Sequence, residues 1–195
     1  MSSEFSLLRV SPADFEDIDA FLVDWDRNYQ GENANTFDLD GGMVEVLHFL
    51  LTGSSDTAGT WFTDSTLLVS EVLVPEYGDV LLIDALAGGN RLKSLHSQGL
   101  VACYLAPIQV QKVAEGLAKI AQENLEQRWN ALNQLARAER RRVVGSLEKL
   151  QPRSQSLQEV VGDVRGFTEY FVNEFAAYYT DAAQNDLGVV VLDCT

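Results

Sequence analysis

Reactive side chains are scarce in this chain. Its 195 residues include only two histidines, His48 and His96, and two cysteines, Cys103 and Cys194. Structural zinc needs several nitrogen or sulfur ligands at short spacings. No His-x-x-x-His or Cys-x-x-Cys cluster is present, and no calcium-loop spacing of acids occurs, so no metal is expected. The cysteines stand far apart in apolar sequence, which reads as two reduced thiols rather than a disulfide framework. Phosphate-cradling glycine patterns are missing, Gly88-Gly89 being too little, and no Gly-x-Ser-x-Gly elbow offers an acyl-transfer serine. No cofactor is expected.

Long apolar runs are missing as well. Those around Leu67–Val74 and Val80–Leu86 are broken or bounded by Glu71, Pro75, Glu76 and Asp79. Neither approaches the roughly 20 apolar residues of a membrane span. Met1–Ser6 has no basic start and no apolar stretch follows it, so no secretory leader is expected, and the expected location is cytoplasmic.

Positive charge is the largest deficit. The chain has 14 lysines and arginines against 29 aspartates and glutamates, a net charge of −15. The imbalance is concentrated in residues 1–100, where 17 acids face 4 bases, while residues 101–195 hold 12 against 10. A protein that binds nucleic-acid phosphate needs a basic footprint, so nucleic acid is excluded as a partner. The same field would steer a basic protein toward the N-terminal half. Acidity also keeps a protein soluble without any partner.

What is present is well patterned. Phe5–Val10 is a β-prone run closed by Ser11-Pro12, a good N-cap followed by a residue suited to the first helical position. Phe15, Ile18, Leu22, Trp25 and Tyr29 then recur at helical spacing and predict a helix over 12–29. Glu16, Asp17, Asp19, Asp24 and Asp26 occupy its other faces and are expected to point to solvent, with Asp17, Asp19, Asp24 and Asp26 as candidate partner contacts. Residues 43–52 read as a buried helix capped by Gly53. Residues 66–73 and 80–86 read as strands around the Pro75-Glu76-Tyr77-Gly78 turn, and Gly88-Gly89-Asn90 as a break. A helix is expected over 107–122, with a bend near Gln122–Asn124 and helical character beyond it. Val160, Val164, Phe167, Phe171, Phe175, Tyr178 and Ala182 predict a terminal helix over 160–184 whose aromatic stripe is core. Gly188–Asp193 reads as a short apolar strand, central in its sheet. The expectation is a single compact α+β domain over residues 1–195, with amphipathic helices packed on a small mixed sheet.

Two local clusters carry chemistry. Glu45, His48 and Thr52 fall within about 60° of one another around the second helix and form a thin polar stripe. A histidine beside a carboxylate is a candidate general base, since the carboxylate raises its basicity and fixes its tautomer. The same arrangement also describes a buried, hydrogen-bonded structural histidine. Arg137, Arg140, Arg141 and Arg142 form the one basic cluster, but Glu139 and Glu148 beside them describe a solvated helix face.

Three segments together resemble a known family. Leu47-His48-Phe49-Leu50-Leu51-Thr52-Gly53 is similar to the Leu-His-x-Leu-Leu-Thr-Gly helix end of the bacterial YfbM-like proteins, a family of unknown function. Ala85-Leu86-Ala87-Gly88-Gly89 followed by Tyr104-Leu105-Ala106-Pro107-Ile108-Gln109-Val110 resembles the family's middle section. The ending, Phe171 through Tyr178-Tyr179-Thr180-Asp181-Ala182-Ala183 and then Gly188-Val189-Val190-Val191, resembles its terminal helix and strand. One departure is Val44, where family members carry an aromatic residue one turn before the histidine. The resemblance implies a compact α+β fold and a bacterial cytosolic protein, and it implies no established activity.

Two functional readings follow from the residues. The first is a non-catalytic acidic binding protein that engages a basic partner, as an immunity-type inhibitor of a toxin does. The alternative is a small hydrolase-like or ligand-binding enzyme built on the His48/Glu45 pair beside Thr52.

Overall fold

The structure is a computed structural model that describes residues 4–18, 20–21, 35–40, 46–47, 50–51, 85–86, 90–91, 101–123, 125–134 and 163–193. Its centre is a sheet of five described strands. They are β1 (Glu4–Val10), β2 (Thr36–Asp40), β3 (Asn90–Arg91), β4 (Val101–Leu105) and β5 (Gly188–Asp193), in the order β2-β1-β5-β4-β3. The expected β5 is indeed central, and it pairs with β1 on one side and β4 on the other. Both ends of the chain thus meet in the middle of the sheet. Every described pairing is antiparallel, where a mixed sheet was expected.

Side chains alternate across a strand, so each strand feeds two cores. Leu7, Leu39, Leu105, Val189 and Val191 lie on one face, within the larger buried cluster. Leu8, Val10, Ala102, Val190 and Leu192 lie on the other, beneath half-buried Phe15, Ile18 and Phe21. Double coverage explains why β5 is apolar at every position from Val189 to Leu192 although its neighbours are antiparallel.

The small face is covered from α1 (Pro12–Glu16). Ser11 caps it as expected, its hydroxyl accepting from the Asp14 N–H at 3.2 Å and donating to the Asp14 carboxylate at 2.6 Å. The helix predicted over 12–29 does not run unbroken. Asp17 leaves helical geometry at φ −129°, ψ 56°, and a helical bond resumes from the Phe21 N–H to the Asp17 carbonyl. Aspartate is a weak interior helix former, and Asp14 lies three residues away with the same charge. Residues 22–29 lie outside the described residues. Gly188 makes room for this layer: a Cβ there would sit 3.0 Å from the Leu105 carbonyl and 3.2 Å from the Phe15 ring.

The large face carries the remaining helices, α2 (Pro107–Glu123), α3 (Leu125–Gln134), α4 (Val164–Tyr170) and α5 (Ala176–Gln184), with a π-helical turn over Phe171–Phe175 joining the last two. α2 ends at Glu123 and α3 begins at Leu125, where a bend near Gln122–Asn124 was expected, and Asn124 lies outside the described residues. Phe167, Phe171, Phe175, Tyr178 and Ala182 are all buried, so the aromatic stripe is core as expected, and Tyr179 joins it fully buried. The π turn has a geometric reason. Phe167, Phe171, Phe175 and Tyr179 are spaced by four, and each such step overshoots a 3.6-residue turn by about 40°. One wider turn brings the stripe back over the core. Trp129 of α3 stacks on Phe167 at 5.0 Å between ring centroids.

Val46, Leu47, Leu50 and Leu51 are helical and buried, as expected of the second helix, and Arg128 donates to the Leu50 carbonyl. The strand expected over 80–86 does not reach its end, because Ala85 and Leu86 are helical and buried. Alanine and leucine are strong helix formers, which the β-branched residues before them obscure. Residues 80–84, and the strand expected over 66–73, lie outside the described residues. β2, β3 and β4 were not anticipated, and Asn90 begins β3 where a break was expected.

Candidate functional site

The predicted site residues fall unevenly in the structure. Glu45, His48 and Thr52, with Asp19, Asp24 and Asp26 and the arginine cluster, lie outside the described residues. Asp17 is exposed as expected, together with Asp14 and Glu16. These three acids ride on the segment that covers the small sheet face, so their carboxylates stand above that face. Cys103, in β4, is a half-buried thiol. Among the described residues no three His, Cys, Asp or Glu side chains lie close enough to hold a metal ion, and no described helix is long and apolar enough to cross a membrane.

A further acid sits at the end of the sheet. The Arg9 N–H donates to the Asn35 carbonyl at 2.9 Å, which makes Arg9 and Asn35 a hydrogen-bonded pair at the end of the β1–β2 ladder. Antiparallel pairs alternate, so Ser6 and Asp38, register partners three pairs further along, form a non-hydrogen-bonded pair whose side chains approach closely. Accordingly the Ser6 hydroxyl donates to the Asp38 carboxylate at 2.5 Å. Ser6 is buried and Asp38 exposed, so the serine holds an outward carboxylate at a fixed place.

On the large face, Arg9 ties β1 to α5. Its Nη1 lies 2.7 Å from Asp181 Oδ2, its Nη2 donates to the Tyr178 carbonyl at 3.2 Å, and its guanidinium carbon sits 4.1 Å from the Tyr178 ring centroid. The Tyr178 hydroxyl donates to the Asn35 carbonyl at 3.1 Å, the same oxygen that accepts from the Arg9 N–H. Burial pushes the Tyr178 phenol far above its ordinary range; Arg9 opposes this and Asp38 adds to it. A phenol held protonated, beside a guanidinium already engaged by a carboxylate, a carbonyl and a ring, is built to hold two elements together rather than to transfer protons. Arg9 Nε is buried with no hydrogen-bond partner among the described residues. The pattern Leu7-Leu8-Arg9-Val10, one arginine in an otherwise apolar strand, was the signal for this contact, and it was not singled out.

An open depression of about 380 Å³ runs along α3, lined by Glu126, Gln127, Asn130, Ala131 and Gln134. These positions share one helix face and bring amides and a single carboxylate together, without a nucleophile and base in pair.

An antiparallel sheet that joins the two ends of the chain and bears helices on both faces defines an α+β protein. The profile of a family described as a domain of unknown function (DUF1877) matches residues 1–192, and the chain belongs to that family. Among solved structures it is similar to the crystal structure of YfbM from Escherichia coli, a protein of unknown function, with 16% identity, 99% of each chain covered and a TM-score of 0.44. A family of unknown function is expected from the Leu47–Gly53, Tyr104–Val110 and Phe171–Val191 segments, and a family of unknown function is what the match over residues 1–192 shows. No curated protein matches the chain.

Proposed function

We propose that this protein is a non-catalytic binding protein that engages a basic protein partner through its acidic N-terminal half, in the manner of an immunity-type inhibitor. The observation that carries this reading is the charge distribution. Of the 29 acids, 17 fall in residues 1–100 against only 4 bases. The described members of that half support it, because Asp14, Glu16, Asp17 and Asp38 are all exposed. A surface of one sign accelerates the encounter with an opposite surface and disfavours like-charged competitors. It also keeps the complex responsive to salt, since exposed charges are screened within about 8 Å at physiological ionic strength.

Affinity capture on the immobilised protein tests the reading. Basic proteins retained at low salt and released as salt rises support it. Retention that ignores salt, or that selects proteins without net positive charge, overturns it.

A further inference from the structure

We draw no further inference here: the strongest candidate, the open depression along α3 lined by Glu126, Gln127, Asn130, Ala131 and Gln134, carries nothing, because nothing in the structure shows what covers that helix face.

Discussion

Arg9 and Tyr178 are joined face to charge: the guanidinium carbon lies 4.1 Å from the ring centroid while the same side chain pairs with Asp181 one helical turn on. The contact links the first strand of the chain to its last helix, 169 residues apart in sequence. Asp181 is half exposed while the Arg9 side chain is mostly buried, so water screens the pair only from one side. A double-mutant cycle with Arg9→Met and Asp181→Asn should give a coupling of about 1 kcal/mol, the upper end for partly exposed pairs. Additive effects in urea denaturation would show that the ring contact, and not the ion pair, holds the two elements.

Tyr178 makes stability depend on alkaline pH. Burial raises its folded pKa above the unfolded value near 10, so above about pH 10 the unfolded chain loses a proton that the folded chain keeps. Stability is complete below that pH and falls as pH rises, by up to about 1.4 kcal/mol per unit from this one group. Tyr178→Phe should lose about 1 kcal/mol at pH 7 with the hydrogen bond to Asn35, and should show a correspondingly shallower alkaline slope. An unchanged slope would mean that Tyr178 ionises in the folded state as it does in the unfolded one.

Phe171 is fully buried at the start of the π turn. Phe171→Ala should destabilise by about 3–5 kcal/mol through lost transfer free energy and the cavity left behind. Chemical denaturation gives the number directly, and a loss below about 1 kcal/mol would place the stripe at a surface.

The turn from α5 to β5 permits an improvement. The Leu187 N–H bonds to the Ala182 carbonyl at 2.9 Å and the Asp186 N–H to the Ala183 carbonyl at 3.3 Å, the paired bonds of a Schellman end. Asp186 takes the left-handed position at φ 54°, where glycine is the usual residue. Asp186→Gly should raise the melting temperature slightly, with relief of left-handed strain outweighing the added freedom of the unfolded chain by about 0.5 kcal/mol. Two residues on, Gly188→Ala should do the reverse, because its Cβ would press on the Leu105 carbonyl and the Phe15 ring.

The legible parts of the fold are those where one physical signal dominates. Apolar spacing predicts α2 and most of the terminal helix, which begins at Val164 behind an extended Asp163 rather than at Val160, while Val189-Val190-Val191-Leu192 reads as a doubly covered strand. β2 was legible too, since Thr36-Phe37-Asp38-Leu39-Asp40 alternates cleanly, but five residues before Gly41-Gly42 look equally like an approach to a helix. β4 was not, because Val101-Ala102-Cys103-Tyr104-Leu105 is apolar on both faces and shows no period. The π turn and the break at Asp17 are invisible to a fixed 3.6-residue count. Of the candidate site, exposure of Asp17 followed from the inward faces of Phe15 and Ile18. The Ser6–Asp38 and Arg9–Tyr178 contacts depend on register, which a single chain does not display before its strands are paired.

The central claim is that acidity in the N-terminal half draws a basic partner, and one measurement tests it most directly. The association rate of a captured basic protein should be followed across a range of salt, for the native chain and for the variant with Asp17→Asn, Asp24→Asn and Asp26→Asn. The account predicts a variant that folds normally, associates more slowly and loses much of its salt dependence. Identical rates and identical salt dependence in the two proteins would contradict it.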